Sequence, residues 1–208
     1  MKLYEFPPTR SIRVRWALQE LGVPFEAETV NLAQGEHHKA PYLRVNPAAK
    51  LPALVDGDQT LTESGAILLY LAEKFPEKGL MPRALTERAQ LYRWLFFTVT
   101  ELEQPLWRIA RNENVYPPAE RVPADIPRAR KDFADMVAVL ASHMRGRQFV
   151  VGDRFSVADI ALAYTLDWAH EVKLLGDWPE LVAYMERMYQ RPHCGLRIAP
   201  ALAQVRGL

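Results

Sequence analysis

A chain of 208 residues with 49% apolar content is long enough to bury a sizeable core, in one domain or two. Its 26 basic and 25 acidic side chains leave a net charge of +1, which gives no electrostatic case for nucleic acid or an anionic membrane as a partner. No apolar run nears the ~20 residues of a membrane helix, no signal-peptide core opens the chain and a single cysteine cannot form an internal disulfide, so a reducing, cytoplasmic setting is the expectation.

In chain order, a strand is expected at Lys2–Glu5. A helix follows at Ser11–Leu21, with Val14, Ala17, Leu18 and Leu21 on its buried face and Gly22 as its stop. A strand at Phe25–Asn31 and a helical patch at His37–Leu43 come next. Leu51–Val55 and Gln59–Leu61 flank Asp56-Gly57 at hairpin spacing, and Ala66–Phe75 carries Leu68, Leu71, Ala72 and Phe75 at i, i+3, i+4 and i+7. This order is βαβ followed by ββα, an α/β domain over residues 1–76. Residues 77–84, rich in Pro, Gly and charge, read as a linker.

Residues 85–208 read as helix throughout, a bundle domain. Its first helix, Leu85–Arg111, carries Tyr92, Trp94, Phe96, Phe97 and Trp107. Long apolar stripes follow from Phe133 to Met144 and from Val157 to Trp168. Asn112–Pro127, with four prolines, is the expected long loop. Ser156 and Asp159 form a capping box, with Phe155 and Ile160 as its staple, a structural device. No metal-ligand cluster, phosphate loop or Ser-His-Asp signature stands out.

The richest segment for chemistry runs from Asn46 to Leu71. Pro52 opens a strand, where its missing N–H does no harm, and the Leu51-Pro52 bond is of the one type for which cis is cheap. In that form the backbone of Leu51 would be free to pair with an extended peptide. The helix behind Glu63 and Ser64 points free N–H groups at whatever precedes it, a site for a carboxylate, while the Glu63 side chain suits an ammonium group. A peptide with an α-amino acid head meets both demands.

These residues carry a resemblance. NPAAKLPAL followed by LTESGAILLYLAEKF resembles the glutathione-binding core of the cytosolic glutathione transferase superfamily, here of bacterial type. MKLYEFPPTRSIRVRWALQELGVPFE at the start and GDRFSVADIALAY in the second half extend the likeness over essentially the whole chain. It implies a thioredoxin-like N-terminal domain, glutathione as co-substrate with no metal, and attack of the glutathione thiolate on small hydrophobic electrophiles in detoxification. A homodimer is implied as well. Glutathione-dependent isomerase or dehalogenase action, or non-catalytic glutathione binding, are the alternatives.

The thiolate-stabilising group is expected at the start of the first helix, and there the class patterns diverge. The Ser of the theta and zeta patterns falls on Pro8, with Thr9 and Ser11 as adjacent hydroxyls, and the Cys of the beta pattern falls on Arg10. PPTRSIRVRWALQEL also resembles the chi-type transferases, in which an Arg at this place serves the thiolate, and Tyr4 aligns with the catalytic Tyr of the pi pattern. The resemblance therefore points to Thr9, Arg10 and Ser11 as catalytic, with Tyr4 as the competing choice. The plainer readings are a helix cap for Thr9 or Ser11, a solvated charge for Arg10 and core packing for Tyr4. His37, by likeness to theta, and Lys50 are expected at the glycine carboxylate of glutathione, with Leu51, Pro52, Glu63 and Ser64 completing its site. Trp107, Arg108 and Arg111 are expected at the rim of the electrophile pocket, the two arginines jointly placed for an anionic substrate. Cys194 reads as a bystander.

Overall fold

The computed structural model describes residues 1–206, which divide into two compact units: Met1–Met81 with the segment from Tyr189 onward, and Pro82–Met188.

In the first unit, β1 (Lys2–Glu5), α1 (Ser11–Leu21), β2 (Glu26–Thr29), a short 3-10 turn (Glu36–His38), α2 (Ala40–Leu43), β3 (Ala53–Asp56), β4 (Gln59–Thr62) and α3 (Ser64–Lys74) follow in sequence. The sheet order is β2-β1-β3-β4, with β1 parallel to β2 and antiparallel to β3, and β3 and β4 joined as a hairpin. This is the thioredoxin-like arrangement. Leu3 and Leu54 face each other in register, fully buried, while the next pair, Tyr4 and Ala53, belongs to a separate cluster with Val30, Tyr42, Val45 and Leu51. That division follows from the period-two alternation of strand side chains.

All four expected residues of the α1 stripe are buried, and Gly22 closes the helix at φ 64°, in the left-handed region that only glycine enters freely. The buried arc is wider than the stripe, because Arg13 and Trp16 are 0% exposed as well. α3 buries Ile67, Leu68, Leu71 and Ala72 against α1. It begins at Ser64, two residues before the apolar periodicity does.

The C-terminal stretch differs from the sequence expectation, which placed everything after residue 84 with the helical bundle. It docks on α1 instead. Arg191 grips the Glu20 carboxylate with two hydrogen bonds of 2.7 and 2.8 Å, Trp16 Nε1 donates to the same carboxylate, and the Tyr189 ring lies 4.9 Å from Trp16. Gly195 is needed for this approach, since a Cβ there would come within 3.1–3.2 Å of Ile12 and Trp16. α9 (Ile198–Arg206) follows, burying Ile198 and Ala201.

The second unit is helical: α4 (Leu85–Phe97), α5 (Glu103–Ala110), α6 (Asp125–Met144), α7 (Val157–Glu171) and α8 (Pro179–Tyr189, whose last residue falls to the first unit). The expected single helix from 85 to 111 widens into π-type turns at Thr98–Leu102 and Arg111–Val115. Pro105 supplies no N–H for the Glu101 C=O, and the first wide turn lies directly ahead of that gap. The expected loop ends sooner than Pro127, which sits in the first turn of α6, where proline is tolerated. α7 is buried on nearly every side, as suits the centre of a bundle. Its capping box is complete, and Asp159 also accepts from Val150 N–H at 2.9 Å and from the Tyr184 hydroxyl at 2.7 Å, tying the preceding loop and α8 to the helix start.

Candidate functional site

The turn between β1 and α1 closes with Thr9 N–H donating to Phe6 C=O at 2.9 Å. Its Pro7–Pro8 peptide bond is cis. Ser11 is 1% exposed, and its hydroxyl lies 2.9 Å from Thr9 Oγ1, 3.3 Å from the Phe6 N–H it accepts and 3.4 Å from the Phe6 C=O. Ser11 N–H donates to Thr9 Oγ1 at 3.3 Å. Thr9 and Arg10 are half-buried, so of the three expected groups these two stand toward the surface and Ser11 lies behind Thr9. Tyr4 packs its ring 5.7 Å from Tyr42 within the small apolar cluster.

The peptide frame is built largely from backbone. The Leu51–Pro52 bond is cis, and Leu51 stands just outside the ladder, whose first pairs are Tyr4 with Ala53 and Ala53 with Thr62. Two side chains fix the approach to it: the Tyr42 hydroxyl donates to the Lys50 C=O at 2.5 Å, and Asn46 Nδ2 donates to the same oxygen at 2.7 Å. Asn46 Oδ1 also accepts from Ala48 N–H at 3.0 Å, so one buried amide shapes the whole turn. Burial pushes the Tyr42 hydroxyl up to about 12, which keeps it a donor at any physiological pH.

At the same open end of the hairpin, Glu63 follows the Thr62 that pairs with Ala53; it is exposed and adopts φ 65°, ψ 112°, a conformation that costs a non-glycine residue about 1–3 kcal/mol. The first helical bond of α3 runs from Ile67 N–H to Glu63 C=O, leaving the amides of Ser64, Gly65 and Ala66 ahead of it without a helical acceptor. Ser64 is buried, and its hydroxyl accepts from Arg13 Nη1 at 3.4 Å.

His37 is half-buried with its Nδ1 enclosed and without a hydrogen-bond partner. Burial, then the neighbouring His38 and Lys50, hold its pKa below the ordinary histidine range. Lys50 itself is exposed.

The three rim residues of the second unit are not brought together as an anion clamp. Arg108 is held by Asp125 through two bonds and by Asp132 at 2.5 Å, both on α6. Arg111 instead lies 5.8 Å from both the Trp107 and Tyr116 rings and donates to the Tyr116 hydroxyl at 3.2 Å. Trp107 meets Trp168 edge-on at 6.1 Å. Cys194 is partly buried, and burial and the nearby Glu20 push its thiol pKa up, away from reactivity.

Sequence reasoning missed Arg13, Tyr42 and Asn46. Arg13 carried a signal, since it sits one turn before Ala17 on the buried face. Tyr42 and Asn46, also at i, i+4, gave no hint that both would converge on one carbonyl.

Comparison with known proteins agrees with this geometry. Residues 1–73 match the profile for the glutathione S-transferase N-terminal domain, and residues 123–187 that for the glutathione S-transferase C-terminal domain. The chain is 32% identical to glutathione S-transferase 1 of Dianthus caryophyllus, covering 99% of this chain and 96% of that protein. It is 31% identical to glutathione S-transferase GstA of Escherichia coli O157:H7, covering 92% and 94%. Among solved structures, a sphingomonad glutathione S-transferase complexed with glutathione superposes with a TM-score of 0.81 at 33% identity, over 99% of both chains. Sequence, fold and the peptide frame agree: the chain belongs to the glutathione S-transferase family.

Proposed function

We propose that this protein binds glutathione in its first unit and activates the thiol from the Thr9 turn for attack on small apolar electrophiles. Leu51 pairs with the cysteinyl backbone as a neighbouring strand would. The α3 N-terminus and Ser64 receive the α-carboxylate of the γ-glutamyl end, the Glu63 side chain takes its ammonium, and His37 and Lys50 meet the glycine carboxylate.

The chemistry follows from thiol ionisation. A free thiol with pKa near 8.5 is only about 3% thiolate at pH 7, and lowering it by two units, ~2.7 kcal/mol, raises that to roughly three quarters. Thr9 is arranged to supply a donor. Its oxygen accepts from Ser11 N–H and, at 2.9 Å, can take the single Ser11 hydroxyl hydrogen in place of the Phe6 C=O at 3.4 Å, which leaves the Thr9 hydrogen for the sulfur. Ser11 thus acts through Thr9, and the Arg10 guanidinium adds a permanent positive charge at the same turn. The hydroxyl pair of Thr9 and Ser11 at 2.9 Å is the observation that carries this reading.

A homodimer working in the cytoplasm in detoxification accords with the family. Steady-state conjugation of glutathione to 1-chloro-2,4-dinitrobenzene tests the proposal: turnover above the uncatalysed rate that falls in Thr9→Val supports it, and tight glutathione binding without turnover on any aryl halide or enone contradicts it.

A further inference from the structure

Within the second unit, apart from the glutathione-site residues above, α4 from Thr86 to Trp94, the end of α6 and the loop after it line a cleft of about 380 Å³. Trp94 forms its base. It is 2% exposed, and its indole Nε1 is buried without a hydrogen-bond partner. The His143 ring stacks on it at 3.9 Å and 25°, and the Arg93 guanidinium lies 4.9 Å from the same ring.

The lining is cationic. His143 Nε2 sits 2.8 Å from the Val150 C=O and donates to it, so Nδ1 is the atom left to take a proton. Arg93, His143 and Arg147 line the same cleft, and burial first, then Arg147 and Arg93, hold the His143 pKa below the ordinary range. Neither arginine forms an ion pair among the described residues; Arg93 Nη1 donates to the neutral Gln90 at 3.2 Å. Glu87 is the lone acidic side chain on the lining. Two guanidinium groups without ion-pair partners among the described residues line the cleft together with an imidazole, an amide and the Thr86 hydroxyl, a donor set suited to a tetrahedral dianion, whose oxygens accept several charged donors at once.

We propose that this cleft is a second binding site, separate from the glutathione site, for a small phosphate-bearing anion gripped by Arg93 and Arg147 beside His143. The cleft is larger than a phosphate ion, leaving room for the organic group of a monoester. With an anion in place the repulsion among the three basic groups is relieved and His143 can carry its proton.

The test is calorimetric titration of the full-length protein, saturated with glutathione to fill the peptide site, with inorganic phosphate and with phenyl phosphate. Saturable binding of either, weakened at least ~10-fold in the R93Q/R147Q double variant while conjugation and melting temperature hold, supports the proposal. Tighter binding of phenyl phosphate identifies an ester as the occupant, and equal binding identifies the free ion. Absence of saturable binding overturns the proposal, as does binding that survives both substitutions. A changed sedimentation coefficient in the variant overturns it too, because the arginines then meet a protein surface.

Discussion

The two halves of the glutathione site are built from different materials. The frame from Lys50 to Ser64 works through its backbone: a carbonyl pinned by Tyr42 and Asn46, a strand opening at Pro52, a left-handed Glu63 and the bare amides of α3. In the turn from Phe6 to Ser11 the groups proposed to act are side chains, two hydroxyls in contact with Arg10 between them in the sequence. A backbone frame holds any peptide of the right shape and is indifferent to most substitutions outside its turns. A side-chain turn sets the charge on sulfur and can change chemistry one residue at a time, which is why the same family supports Tyr, Ser, Cys or Arg patterns there. The proposed function therefore makes binding and activation separable, the first resting on geometry and the second on proton donors.

The largest expected effect divides the two. Thr9→Val keeps the shape of the turn and removes its donor, so kcat at pH 7 should fall by about 10–25-fold, equivalent to ~1.4–1.9 kcal/mol, with KM for glutathione nearly unchanged. A KM rise with kcat intact would mean that Thr9 belongs to the frame. Tyr42→Phe strikes the frame instead. It removes one of two donors from a buried carbonyl, ~1 kcal/mol, so KM for glutathione should rise about fivefold while kcat holds. Equal losses in both parameters would show that the two halves are coupled.

These outcomes bear on what could be read in advance. The frame was legible because Pro, Gly and the residue before a helix leave backbone signatures: the Leu51-Pro52 bond, the Asp56-Gly57 turn and the Glu63–Ser64 helix start all stand where the residues put them. Arg13 signalled its burial by standing one turn before Ala17, but not its partner, since nothing in the sequence links it to Ser64 on α3. Arg191 was harder still, for its partner Glu20 lies 171 positions away and no periodicity links the two. The partners of Arg108 were hidden for the same reason, as the carboxylates of Asp125 and Asp132 reach it from α6, across the segment that follows α5.

Arg108→Gln sharpens the contrast from outside the site. It should lower the melting temperature by about 2–4 °C, for ~1 kcal/mol lost, and leave KM for anionic electrophiles unaltered, because the arginine is already held by two aspartates. A selective loss of activity on anionic electrophiles would return Arg108 to the pocket rim.

The smallest effect concerns the strap that holds α1 from behind. Burial raises the Glu20 pKa, but the bonds from Arg191 and Trp16 outweigh it and leave the carboxyl below its ordinary value. A depressed carboxyl stabilises the fold above its unfolded pKa, near 4.3, and that contribution disappears as pH falls through the lower folded value. Protection factors for hydrogen exchange in residues 189–206, taken against the intrinsic rate at each pH, should therefore fall below about pH 4, and Glu20→Gln should show the same loss of protection at pH 7. Protection factors that are flat with pH and unchanged in the variant would mean that Tyr189 and Gly195 dock the strap without the ion pair.

The most direct test of thiol activation is the ultraviolet absorbance of the thiolate of bound glutathione, titrated against pH in wild type, Thr9→Ala, Arg10→Ala and Ser11→Ala. A bound thiol pKa about two units below that of free glutathione, returned most of the way by Thr9→Ala and partly by the other two, is the result expected of a donor turn backed by Ser11 and Arg10. A bound thiol that titrates like free glutathione despite saturating the site would contradict the account and leave the protein a binder of glutathione rather than an activator of it.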